Sequence, residues 1–309
     1  MKKLVITTAL LVVCILGIEL FLRQYYGFCD AVLLRADPDY EYISLPHQAR
    51  FRLGNHICYN SVSMRSAEVD SSAFIILGFG DSVINGGGYT DQDSLATSIL
   101  TSRLTERYHK KVQFLNISAG SWGPDNCYAY LKKHGDFHAK CIFLFVSSHD
   151  AYDNMDFEKI IDVQDGFSSK QYPSAIFELV NRYLVPHVRG LMKKSSPGEQ
   201  QLGINKKKAN SLFNAGFPSF LSYTREKGIP LVIYLHADAA ERKKGFYNEQ
   251  GQEIISFARR NNVELIMDVD NDLKPADYRD YIHFNASGQH KMAMTVFAYT
   301  TGLFEKYKW

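Results

Sequence analysis

From residue 73 onward, short apolar runs recur at 74–77, 112–117, 141–146, 231–235 and 263–269, separated by longer amphipathic stretches. Short uninterrupted apolar runs without polar alternation mark strands buried on both faces, the state of strands in parallel sheets. A helical stretch between consecutive runs supplies the crossover that parallel strands require. Helices are expected over 94–108, 125–134, 176–192, 209–227 and 248–261, with a last one from about 286. The pattern predicts an α/β fold, a mainly parallel sheet with helices on both faces. Segment 150–173 is polar, aromatic and irregular, and follows the third run, where a substrate loop is expected. The basic stretch 193–208 reads as a mobile surface insertion.

With 309 residues, 46% of them hydrophobic and 22% charged, the chain has material for one sizeable core. A net charge of +2 points to no nucleic-acid partner, and Lys206-Lys207-Lys208 is short enough to be a solvated surface. The N-terminus departs from this ordinary composition. Met1-Lys2-Lys3 precedes an uncharged stretch to Ile18, then Glu19, Leu20-Phe21-Leu22 and Arg23. No small-x-small cleavage site follows promptly, so residues 1–23 are expected to form a transmembrane signal anchor, with the lysines cytoplasmic and the rest exported. Val12-Val13 before Cys14 lacks the small residue of a lipoprotein signal. Residues 24–72, broken by Pro38 and Pro46, read as an irregular extension wrapped on the domain, and 73–309 as the main domain.

Cys29 and Cys58 lie in that extension, in a compartment that permits a disulfide between them. Cys127 and Cys141 read as small buried hydrophobes. With no Cys-x-x-Cys and no zinc-ligand spacing of histidines, no structural metal is expected.

Gly80-Asp81-Ser82 follows the first apolar run, which places a serine at the carboxyl end of a strand, where open α/β sheets gather ligands. A serine hydroxyl needs a base within hydrogen-bond reach and a group that orients the base. Far downstream, Asp280-Tyr281-Ile282-His283 puts a carboxylate and an imidazole on one turn, with the second ring nitrogen available to Ser82. The two blocks together resemble those of SGNH, or GDSL-type, hydrolases, and His283-Phe284-Asn285-Ala286-Ser287-Gly288 continues the second in the same way. The resemblance spans about residue 73 to the C-terminus. It implies a three-layer α/β/α sandwich around a flavodoxin-like sheet and catalysis by Ser82, His283 and Asp280 without a cofactor. Asn60-Ser61-Val62-Ser63-Met64-Arg65 also resembles a stretch found ahead of the catalytic domain in membrane-anchored bacterial members.

Ester chemistry passes through an oxyanion that needs preorganised donors. The family takes them from the nucleophile's amide, a glycine after the second strand and an asparagine after the third. Here the second position falls on Ser121, beside Gly120, and the third is His149 in Ser147-Ser148-His149-Asp150. A backbone N–H of Ser121 or Gly120 and the His149 imidazole can fill these roles, with Asp81 and Asp150 as supporting residues. His149 with Asp150 or Asp153 is also a rival base to His283. Gly78-Phe79-Gly80-Asp81-Ser82-Val83 lacks the third glycine of a dinucleotide fingerprint, and His236 beside Asp238 reads as a strand-end residue.

These readings lead to an esterase that removes an acyl group, with acetyl favoured, from a carbohydrate or other cell-envelope ester. An O-acetyltransferase acting on an extracellular polysaccharide, with a membrane acyltransferase partner, would use the same acyl-enzyme. A non-catalytic glycan-binding module on the same fold is the third reading.

Overall fold

The computed structural model describes residues 1–164, 166–192 and 212–309, so the stretch 193–208 and the start of the expected helix 209–227 lie outside it. The chain begins with α1 (Lys2–Tyr26), followed by β1 (Leu34–Asp37), β2 (Glu41–Ser44), β3 (Gln48–Arg52) and β4 (Asn55–Tyr59). The main domain follows as β5 (Phe74–Gly80), α2 (Ser82–Asn85), α3 (Ala96–Tyr108), β6 (Val112–Ser118), α4 (Pro124–His134) and β7 (Cys141–Ser147). It continues with α5 (Ala175–Glu178), α6 (Val185–Met192), α7 (Gly216–Lys227), β8 (Leu231–His236), α8 (Ala239–Lys244), α9 (Glu249–Arg260), β9 (Glu264–Met267) and α10 (Ala286–Tyr307).

Strands β5 to β9 form one sheet in the order β6-β5-β7-β8-β9, every neighbour parallel. That is the flavodoxin-like order, with the reversal of winding at β5. Side chains alternate between two cores. Ile75, Leu77, Phe79, Ile142 and Leu144 pack with α4, α7 and α9 on one face. Ile76, Phe114, Phe143 and Phe145 pack with α3 and α10 on the other. Each fully buried side chain of this kind contributes about 1.5–3 kcal/mol relative to exposure. The three-layer α/β/α sandwich is therefore built from apolar runs that have no wet face.

All five expected strands are present, the last ending at Met267 because Asp268 turns away into a short 3₁₀ segment. The expected helix 176–192 is one continuous rod only in outline: a π-helical stretch, Leu179–Leu184, separates α5 from α6. Pro186 has no N–H for the preceding turn, and the wider winding lies immediately before it. Helix α7 starts at Gly216, with Pro218 in its first turn and the Gly216 amide donating to Asn214 Oδ1 at 2.8 Å. Cys127 and Cys141 are buried, and all five cysteines, Cys29 and Cys58 among them, are free thiols.

The extension 24–72 is not irregular, contrary to expectation. β1–β2 and β3–β4 are two antiparallel hairpins. Pro38 falls in the first turn, while Leu53 and Gly54 turn the second with φ of 51° and 81°, the pair of positive values of a type I′ hairpin. The prolines thus end short strands instead of preventing them.

Helix α1 has a mean hydropathy of 2.6 over its best 18 residues and is long and apolar enough to cross a membrane. It continues past residue 23, and its last turns dock on the domain. Glu19 accepts from the backbone of Ala175 at 2.8 Å and of Ile176 at 3.0 Å, and from Arg23 at 2.7 Å.

The Asn60–Arg65 stretch has a definite structural task. Arg65 is fully buried, and its guanidinium donates to the carbonyls of Asn85, Gly87 and Thr90, clamping the loop that leaves α2. Asn60 Oδ1 receives the amides of Val62 and Met64 at 3.1 and 2.9 Å, which shapes the turn that aims Arg65. Arg65→Met would leave those carbonyls without a donor in a dry site, at about 1–3 kcal/mol for each group left unpaired. Thermal unfolding should show a loss of about 3 kcal/mol or more, and Arg65→Lys should recover part of it.

Candidate active site

Ser82 is the first residue of α2, separated from the end of β5 by Asp81 alone. Gly80 is required there, because a Cβ on it would meet the Phe145 carbonyl oxygen at 2.8 Å. Asp81 is buried and caps α2, its Oδ1 accepting from the Val83 amide at 2.8 Å. The far end of the short helix is held from the neighbouring strand. Asn85 Nδ2 donates to Ser118 O and Oγ, each at 3.1 Å, and Asn116 Nδ2 donates to Ile84 O at 2.8 Å. Gln289 of α10 donates to Val83 O at 2.7 Å. The serine therefore stands on a turn fixed by β6, α10 and Arg65.

The other block forms a tight loop before α10, closed by an antiparallel bridge between Tyr278 and Phe284. Asp280 Oδ1 accepts from the amides of Ile282 at 3.0 Å and His283 at 2.8 Å, so the carboxylate organises the loop that carries it. His283 Nδ1 lies 2.8 Å from Asp280 Oδ2, and Nε2 lies 2.8 Å from Ser82 Oγ. Burial pushes the Asp280 carboxyl up, but the two amides and the charge of His283 outweigh it and hold it below the usual carboxylate range.

His149 follows β7 on a 3₁₀ turn, Ser148–Ala151, and lines the same cavity as Ser82 and His283. Its Nε2 is 3.6 Å from Asp150 Oδ1 and 3.9 Å from Asp81 Oδ2. Burial pulls its pKa down, against the opposing pull of Asp81, which favours the neutral ring. Asp150 is buried. Its Oδ2 accepts the Ser147 amide at 2.6 Å while Oδ1 has no hydrogen-bond partner among the described residues. Burial and the nearby Asp81 push its carboxyl well above the usual range. Asp81, His149 and Asp150 each offer a ligand atom within 4.8 Å of the others, so this group could hold a cation. Sequence spacing does not reveal it, because Asp81 comes from a different strand end.

Gly120 and Ser121 sit on the loop after β6, and their amides donate to no group among the described residues. Ser121 adopts a left-handed φ of 56°. Tyr42 of the first hairpin donates to Gly120 O at 2.5 Å, and Trp122 Nε1 donates to Tyr42 O at 3.0 Å. Pinning that carbonyl also fixes the direction of the Ser121 N–H in the same planar peptide. Two cavities meet at Ser82. One, about 330 Å³, is lined by His283, His149, Ser121, Asp81, Asp153 and Glu158. The other, about 280 Å³, is mainly apolar.

Sequence reading did not identify the role of His236. It is buried, with Nδ1 2.7 Å from Asp268 Oδ2 and Nε2 2.7 Å from the carbonyl of Ile282, the residue before His283. A ring that donates to both acceptors carries two N–H groups. Burial pulls its pKa down, but Asp268 outweighs this and raises it. The usable signal was a histidine closing β8 and an aspartate immediately after β9, at the same ends of adjacent parallel strands. Likewise, Asn116 and Ser118 are polar residues in a strand that is buried throughout.

No protein-family model matches the chain, and no curated protein does. Among solved structures, similar chain courses are found in LAE5, an alpha/beta hydrolase from the metagenome of Lake Arreo, Spain. It is 12% identical, with a TM-score of 0.42 over 75% of this chain and 97% of that one. The lipase/acylhydrolase from Enterococcus faecalis is 13% identical, with a TM-score of 0.43 over 74% and 96%. The Clostridium thermocellum family 3 carbohydrate esterase is 12% identical, with a TM-score of 0.43 over 76% and 98%. At these values the likeness adds nothing to what the strand order and the site geometry already describe.

Because the His236 pKa is raised on folding, its stabilising contribution is complete below the ordinary histidine value of about 6.5 and is lost as pH rises through the folded-state value. His236→Gln should cost about 3 kcal/mol at pH 6. The gap in urea midpoint between variant and wild type should narrow as pH rises above neutrality.

Proposed function

We propose that the protein is a serine esterase of the SGNH type, and the 2.8 Å contact from His283 Nε2 to Ser82 Oγ, with Asp280 behind the ring, carries that reading. Ser82 Oγ attacks the acyl carbon while His283 Nε2 takes its proton. The carbonyl π electrons move to oxygen, giving a tetrahedral oxyanion. As the oxyanion collapses, the bond to the alcohol oxygen breaks and His283 returns the proton to it. Water repeats the sequence, activated by His283, and releases the acid and Ser82. Asp280 holds the tautomer with the proton on Nδ1 and stabilises the imidazolium that forms.

The oxyanion is received by the backbone N–H of Ser82, by that of Gly120 or Ser121, and by a neutral His149, which has one N–H to give. The leaving alcohol is polyhydroxylated, as in a carbohydrate: the cavity beside His283 carries several carboxylates, which are strong acceptors for sugar hydroxyls. Acetyl is the favoured acyl group. A sugar hydroxyl entering this cavity in place of water would make the enzyme a transferase. Helix α1 anchors the protein, with the catalytic domain exported.

The full-length chain should hydrolyse a short-chain aryl acetate and form a fluorophosphonate adduct on Ser82. Ser82→Ala should remove both, and activity equal to that variant in the wild type would overturn the reading. His149→Ala should lower kcat by about 10²–10³ with a smaller change in KM, while His149→Asn should retain much of the rate.

A further inference from the structure

The rod formed by α5, the π-helical stretch and α6 turns an apolar stripe to the outside. Val180, Leu184 and Val188 are exposed and stand four residues apart, which keeps them on one face, and exposed Phe177 lies one turn before them. Contacts settle what the opposite face does. Glu178 is buried, accepts the Cys29 amide at 2.6 Å and pairs with Arg52, and the Tyr183 ring centroid lies 5.5 Å from that of Phe28. The rod is thus fixed to the residues that follow α1, with the stripe facing away from them.

Helix α1 sets the height of the rod. From Lys3 to Arg23 it rises about 30 Å, the thickness of the hydrocarbon core of a bilayer. Arg23 therefore falls at the far boundary of that core, and its side chain donates to Pro173 O at 3.0 Å. One turn earlier Glu19 receives the Ala175 and Ile176 amides, so the rod starts at the depth where α1 leaves the bilayer. Phe21, Tyr25 and Tyr26 are exposed there, the aromatic type that collects at this depth. Charge agrees with the position: between Glu178 and Glu199 the sequence holds Arg182, Arg189, Lys193 and Lys194 and no acidic residue. An apolar stripe on a basic helix is the composition of a helix that lies in the headgroup layer.

We propose that the α5–α6 rod lies in the plane of the membrane that α1 crosses, with Phe177, Val180, Leu184 and Val188 buried at the boundary between headgroups and acyl chains. The occupant of the stripe is lipid, because the rod continues from the point where α1 meets that bilayer. The proposal rests on the membrane-anchor reading of α1. Arg182 and Tyr183 of the same rod line the cavity of about 280 Å³ at Ser82, so this docking holds the site close to the lipid surface.

The test uses the full-length chain in nanodiscs of phosphatidylethanolamine and phosphatidylglycerol, with a nitrobenzoxadiazole fluorophore on one cysteine at a time. Cys14→Ser, Cys29→Ser and Cys58→Ser give the background for Leu184→Cys and Val188→Cys, with Glu106→Cys, exposed on α3 across the sheet, as reference. Labels at 184 and 188 should emit to the blue of the reference, and nitroxide on the lipid tails should quench them at least roughly twofold more. A blue shift without lipid quenching means that protein covers the stripe, and an unshifted, unquenched label means that water does; either overturns the docking. A label on Cys14, with Cys29 and Cys58 replaced, reports on α1. Quenching there without quenching on the rod overturns the docking alone, and no quenching at Cys14 overturns the anchor together with it. Should the variants fail to fold, the unaltered chain decides: lipid with a diazirine in its acyl chain should cross-link within 177–188 as well as within α1, and cross-links confined to α1 overturn the docking.

Discussion

Burial of β5 between β6 and β7 is the constraint on which the rest of the structure depends. Seven register pairs join it to β6 and four to β7, and its side chains enter the core on both faces. A strand held this way has no freedom to slip, since a one-residue shift would exchange its two faces. The winding of the sheet also reverses at β5, which opens a crevice at its carboxyl end. Ser82 lies at that crevice because Gly80 ends the strand where no Cβ fits. The position of Ser82 thus follows from packing within the sheet.

Around that fixed point, polar contacts convert a strand end into a site. Asn116, Ser118 and Asn85 tie α2 to β6, and Gln289 ties it to α10. Arg65 clamps the loop beyond α2 from inside the protein. The His236–Asp268 pair reaches the carbonyl of Ile282 and so bears on the loop that carries His283. Each is buried, where an unpaired group costs more than a paired one yields, so the network favours a single geometry. The N-terminal extension belongs to this support. Tyr42 holds the loop of Gly120 and Ser121, and β1 and β4 wall a cavity at Ser82.

Much of the fold was legible because its signal is local. The five apolar runs carry no alternation, and burial on both faces is what that pattern encodes. The hairpins of residues 24–72 were not legible, since four-residue and five-residue strands are too short for periodicity to stand out among Tyr, Asp and Arg. The Leu53-Gly54 turn also lacks the Asn-Gly or Asp-Gly sequence that marks a type I′ hairpin most clearly. Within the site, Ser82, Asp280 and His283 stood out because their blocks are compact. Arg65, His236 and Asn85 did not, because each acts on a partner remote in sequence or through a backbone carbonyl, which leaves no trace in residue type.

The sequence by itself determined the parallel sheet, the apolar first helix and the chemical types gathered at the strand ends, because hydrophobic period and residue chemistry are properties of short segments. Only the tertiary structure decided that His283 meets Ser82 across 201 positions while His149 stands between Asp81 and Asp150. It also decided that the extension closes one side of the site. Those outcomes depend on strand order, and strand order is set by how the whole chain buries its two cores.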